Sequence, residues 1–115
     1  MDNVSTTWTS CQEPANNASV SVSTSSILVT PARQGAIPRK SIVIRNISPN
    51  ATDIITLNLG ASQAVANVGI VLRQYDTFTD SAEGDWTHGN GYLPFQGTIN
   101  AICATATGVL SLSER

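Results

Sequence analysis

The side chains able to do chemistry in this 115-residue chain are few. Its one histidine, His88, lies in Trp86-Thr-His-Gly-Asn-Gly91. A serine-nucleophile triad needs a histidine held by a carboxylate and touching an activated serine. The chain has no Gly-x-Ser-x-Gly motif, and a glycine-rich loop positions a base poorly. His88 therefore reads as a solvated loop residue or as a contact to another molecule. Asp76, Asp80, Glu83 and Asp85 lie just upstream. Carboxylates this close in sequence could hold Ca²⁺, a hard ion that takes oxygen ligands from loops. Their spacing is not that of an EF-hand, and the plainer reading is a solvated acidic loop. One histidine and two distant cysteines, Cys11 and Cys103, do not make a tetrahedral zinc set. The expectation is no catalytic residue, no metal and no cofactor, and so not an enzyme.

Two further groups bear on binding. Trp86, His88, Asn90 and Tyr92 place aromatic rings beside an amide in and next to one loop. Rings that stack on apolar sugar faces, with amides that read hydroxyls, are how many sugar sites are built. The same residues also suit a contact loop for another protein, or a loop tip whose Trp packs down on a sheet edge. Arg33, Arg39 and Lys40 form the only basic cluster. They either meet an acidic patch on a partner or are simply solvated. Cys103, within Asn100-Ala-Ile-Cys-Ala-Thr105, reads as a buried thiol and Cys11 as a free surface one, with a single bridge between them as the alternative.

These residues must be positioned by elements that the composition already restricts. Hydrophobic residues make up 41% of the chain, enough for one small core. Charged residues are 12%, roughly half the share of a typical domain, and Lys40 is the only lysine. With a net charge of −2 and no basic run, the chain lacks the clustered Lys and Arg that phosphate binding needs, so nucleic acid is not an expected partner. No apolar run is long enough for a membrane helix. The polar start, with Asp2, is not expected to be a secretory signal.

Residues 1–18 read as a polar extended arm with one large apolar side chain, Trp8. A lone Trp in such an arm suits burial against its own domain or a neighbouring subunit. Residues 19–115 read as a single domain. From Ser19 the apolar residues recur with period two, the strand signature. Val20 and Val22 begin it, and Ile27-Leu-Val29 follows. Between Lys40 and Ile47 the pattern places Ile42, Ile44 and Asn46 on one face and Val43, Arg45 and Ile47 on the other. Ser48-Pro-Asn-Ala51 is a turn by its chemistry, since Pro presets φ and Asn tolerates the left-handed region. The strand after it carries Ile55, Leu57 and Leu59, and the two strands read as a hairpin. Residues 63–68 allow a short helical turn. Further extended stretches follow at residues 70–73, 75–80, 92–95, 97–104 and 107–113. No segment has a 3.6-residue period. The predicted fold is all-β: a small antiparallel β-sandwich or jelly-roll-like barrel of about seven or eight strands, with an N-terminal polar arm.

The order of segments from Ile42-Val-Ile-Arg-Asn-Ile-Ser48 through Ile55-Thr-Leu-Asn-Leu-Gly60, Ala64-Val-Ala-Asn-Val-Gly-Ile-Val-Leu72 and Phe78-Thr-Asp-Ser81 carries a resemblance. It continues in Gln96-Gly-Thr-Ile-Asn-Ala-Ile-Cys-Ala104 and Leu110-Ser-Leu-Ser-Glu114. Over about residues 38–115 the chain resembles the small β-sandwich virion structural proteins of tailed bacteriophages. That resemblance implies a structural protein without catalytic residues. It points to a capsid decoration, or cement, protein on the virion surface, made in the host cytoplasm. Such a protein would be a homo-oligomer, expected as a trimer, that contacts the major capsid protein. The arm with Trp8, and Arg33, Arg39 and Lys40, would then touch the shell or a neighbouring copy. The loop bearing Trp86, His88, Asn90 and Tyr92 would project outward. The rival readings are a tail, fibre or spike attachment module and a sugar-binding sandwich module.

Overall fold

The computed structural model describes residues 16–33, 38–83 and 91–115. Eight strands form: β1 (Asn16–Val22), β2 (Ile27–Thr30), β3 (Ser41–Asn46), β4 (Ile55–Leu59), β5 (Ile70–Leu72), β6 (Thr77–Ser81), β7 (Ile99–Cys103) and β8 (Gly108–Glu114). They make two four-stranded antiparallel sheets, ordered β1-β8-β3-β6 and β2-β7-β4-β5. The pairs β1/β8, β2/β7, β3/β6 and β4/β5 are all hydrogen-bonded. The chain is thus one long hairpin ribbon with its tip between β4 and β5. Wrapping the ribbon brings β8 beside β3 and β7 beside β4. Two Greek keys arranged in this way are a jelly roll.

Period-two side-chain alternation builds the core between the sheets. Ile42, Ile44, Leu110 and Leu112 of the first sheet meet Ile55, Leu57, Leu72, Ile99, Ala101 and Cys103 of the second. On β3 the expected faces hold, with Ile42, Ile44 and Asn46 buried and Val43, Arg45 and Ile47 exposed. β4 departs from alternation, because Thr56 is buried between Ile55 and Leu57. Its hydroxyl accepts a hydrogen bond from Asn67 N at 3.0 Å, so the 60–69 loop lies over the outer side of β4. Gly69 ends that loop at φ 128°, where a Cβ would run into the Leu57 carbonyl.

Several sequence expectations change here. β3 and β4 are not a hairpin; they lie in different sheets. The turn after Ser48 is present, but it carries the chain across the core instead of back alongside. Asn46 fixes this crossing, donating through Nδ2 to Asp53 O at 2.8 Å and Leu72 O at 2.9 Å. Residues 63–68 hold an isolated bridge between Val65 and Val68, with Asn67 at φ 64°, and no helix. Tyr75 lies at φ 68° in a turn closed by Asp76, whose carboxylate accepts from Arg73 N at 2.9 Å, so the next strand starts at Thr77. The first strand begins at Asn16, so residues 16–18 belong to the sheet and not to the arm.

Candidate assembly surfaces

Among the described residues, one end of the sandwich collects Arg33, Arg39, Lys40, Asp80, Glu83 and Tyr92. There β1 starts and β8 finishes, with Asn16 opposite Glu114 and Ile42 opposite Glu114 on the other side. β2 ends at Thr30, beside the start of β7 at Ile99. Besides the 60–69 loop, the connections 31–40 and 82–98 leave from this end. They are tied together by Arg33 N to Gln96 O at 2.8 Å and Ala82 N to Lys40 O at 2.8 Å. The opposite end carries the turns around Ser48, Asp76 and Thr105.

The end is locked by a buried ion pair. The inward series of β8 runs Gly108, Leu110, Leu112, Glu114, so period two points a carboxylate into the protein. Arg39 meets it: its Nε is 2.8 Å from Glu114 Oε2, and its side chain has 0% exposure. The guanidinium also donates through Nη1 to Phe95 O at 2.5 Å and Gly97 O at 3.2 Å, and through Nη2 to Pro31 O at 3.0 Å. Glu114 Oε1 accepts from Thr30 Oγ1 at 2.7 Å and Asn16 Nδ2 at 3.1 Å. Gln96 completes the set. Its Oε1 accepts from Arg39 N at 2.6 Å, and its Nε2 donates to Arg39 O at 2.8 Å and Pro94 O at 2.7 Å. A planar fork with several directional donors suits this task better than a lysine ammonium would. The network joins β1, β2, β8 and both connections. Because two buried charges lose hydration, its contribution is fixed geometry more than net stability.

Burial alone would raise the Glu114 carboxyl. The hydrogen bonds from Thr30, Asn16 and Arg39, with the charge of Arg39, outweigh that and hold it below the ordinary glutamate range. Asp53, at the opposite end, is also lowered, first by the Thr105 hydroxyl, against the opposing effect of burial, and then by Thr107 and Asn50. A carboxyl depressed on folding stabilises the folded state above its unfolded pKa, and that stability is lost as the pH falls through the folded value. Stability should therefore hold from neutral pH down to the ordinary glutamate value of 4.5 and decline below it. Urea unfolding across this range checks the prediction. Glu114→Gln should be less stable at neutral pH and less sensitive to acid, and equal acid slopes for the two proteins would contradict the assignment.

The basic cluster needs correction. Arg39 is wholly buried and internally paired, so it offers no surface to a shell or a neighbour. Arg33 and Lys40 remain partly exposed at the same end. Tyr92 is 48% exposed, and its hydroxyl donates to Asp80 at 2.7 Å. That hydrogen bond raises the phenol above its ordinary range. Phe95 N also reaches Asp80, at 3.2 Å, so Asp80 anchors the 91–95 segment to β6. Asp76 closes its own turn at the other end of β6. Among the described residues no three carboxylate, thiol or imidazole groups converge on a metal-sized site. Cys103 is buried and unbridged. Trp8, Cys11, Asp85, Trp86, His88 and Asn90 lie outside the described residues.

A second surface escaped the sequence reading. Leu28 on β2 and Val71 on β5 point outward from the second sheet, and Val65 and Val68 lie on the loop over it, all exposed. Alternation identifies outward positions but not which of them are aliphatic for a purpose. Exposed aliphatic groups gathered on one face are a feature of contact surfaces.

Comparison with known proteins finds no matching family model, no matching curated protein and no matching solved structure.

Proposed function

We propose that the protein is a bacteriophage virion structural protein, a capsid decoration (cement) protein that stabilises an icosahedral head. The observation that carries this reading is the convergence of two long connections and the entry of β1 at one end, held rigid by the Arg39–Glu114 network. A rigid β unit that concentrates its irregular chain at one end is suited to grip a surface there. Repetition over a symmetric shell then multiplies a modest contact into a strong clamp. The jelly roll is shared by viral capsid domains, and also by lectins and cupins, so the fold supports the reading by analogy. The proposal makes the protein a homo-oligomer with threefold symmetry, bound to the major capsid protein. It assigns shell or inter-copy contact to Arg33 and Lys40, and to Trp8 in the chain leading to Asn16.

Heads assembled without the protein should lose their contents at lower temperature and under milder osmotic shock than complete heads. Equal resistance of the two would overturn the proposal. A copy number comparable to that of the major capsid protein supports decoration, and a handful of copies per particle transfers the protein to the tail or fibres.

A further inference from the structure

Two open sheets have four edge strands, and unpaired edges are templates for other chains unless they are blunted. Three of the four are blunted here. β2 has four residues, a register shift between Leu28 and Thr30, and Pro31 directly after it. β5 has three residues and follows the left-handed Gly69. β6 carries Asp80, which is occupied by the Tyr92 hydroxyl and Phe95 N, and the chain beyond it folds into a bridge between Glu83 and Tyr92.

β1 has none of these devices. It runs seven residues, Asn-Asn-Ala-Ser-Val-Ser-Val, with no charge, proline or glycine. Its register with β8 is unbroken from Asn16↔Glu114 to Val22↔Gly108. Among the described residues no strand pairs with its outer edge.

We propose that this edge pairs with the same strand of a second copy, antiparallel about a two-fold axis through Ser19. This register alone matches all seven residues of both strands. Ser19 then faces Ser19, Ala18 faces Val20, Asn17 faces Ser21 and Asn16 faces Val22. Opposed residues in antiparallel strands project to the same side. The core-side row of Asn16, Ala18, Val20 and Val22 therefore continues into the row of the other copy, with an Asn16–Val22 pair at each end and Ala18–Val20 pairs between, and the small polar row of Asn17, Ser19 and Ser21 stays with itself. Ala18 is exposed and Val20 only half-buried in the protomer, and the pairing covers both. No like charges meet. An edge without charge has nothing to select a charged peptide, whereas its own sequence fits it along its full length. The two first sheets become one continuous sheet of eight strands. The proposal concerns association between copies and does not need the capsid; if threefold contacts form elsewhere, this contact links one trimer to the next.

Single cysteines test the register, in a Cys11→Ser background with Cys103 buried. Directly opposed residues in antiparallel pairs have Cα atoms about 4.5–5.5 Å apart, within the range that a disulfide spans. Ser19→Cys should give a covalent dimer under mild oxidation. Asn17→Cys should not, because its two copies lie roughly 13 Å apart along the strands. A mixture of Asn17→Cys and Ser21→Cys proteins should give the mixed dimer. Absence of the Ser19→Cys dimer, or equal yields for Ser19→Cys and Asn17→Cys alone, would overturn the proposal. Sedimentation of the unmodified protein should show association that rises with concentration, and Ser19→Lys, which sets two ammonium groups face to face, should remove it. Association unchanged by Ser19→Lys would place the contact elsewhere. All of these use the free protein, so their failure leaves the head-stability test untouched, and the converse holds.

Discussion

Replacing Arg39 with methionine should lower the unfolding free energy by about 3–5 kcal/mol, the usual cost of leaving a buried charge without its partner. Glu114 would keep Thr30 and Asn16 but lose its counter-charge, and the carbonyls of Pro31, Phe95 and Gly97 would lose their donor. Domains of this size are stable by only about 5–15 kcal/mol, so the variant should be marginal at room temperature. Arg39→Lys keeps the charge but not the fork, and it should recover only part of the loss. Combining Arg39→Met with Glu114→Leu should cost less than Arg39→Met alone, because no charge is then stranded. Chemical unfolding of the four proteins decides the matter. A single-variant cost below about 1 kcal/mol, the level of a surface pair, would remove the network from its structural role.

Asn46→Asp should be comparably damaging although it changes one atom. The fully buried amide donates to Asp53 O and Leu72 O, and its Oδ1 accepts from Ser48 N at 3.0 Å. The substitution replaces both donors with a carboxylate oxygen aimed at two carbonyls. Each buried group left without a partner costs about 1–3 kcal/mol, so a loss above about 3 kcal/mol is expected at neutral pH. The new carboxyl should titrate well above its ordinary range, because burial and the facing carbonyls disfavour its charge. Its penalty relative to the native chain should therefore shrink as the pH is lowered, when protonation restores one donor. A penalty independent of pH would mean that the side chain had turned to solvent.

The inward position of Asn46 was legible from period two alone, because Ile42 and Ile44 precede it on the same face. The all-β class and most strands were legible for the same reason. The pairing was not. The turn chemistry of Ser48-Pro-Asn-Ala51 shows that the chain reverses, but a reversal within a sheet and one across a core use the same residues. What separates them is where β3 finds its neighbours, and these are β6 and β8, far along the chain. The burial of Arg39 was illegible on similar grounds. Beside Lys40 it looks like part of a basic surface, and nothing local marks it as buried. Its carboxylate partner is 75 residues away and faces inward only once β8 has formed. Glu114 itself sits in phase with Leu110 and Leu112, a signal that could have flagged a carboxylate in need of a buried cation.

The ribbon also dictates when the protein can come into being during synthesis. β8 lies between β1 and β3, so the first sheet lacks an inner member until residue 114 has left the ribosome. The second sheet is under no such constraint beyond β7. A nascent chain thus holds β1 and β3 with no strand between them, and assembly of that half waits for translation to pass β8. Pauses or truncations late in the message would leave one complete layer and one that cannot close.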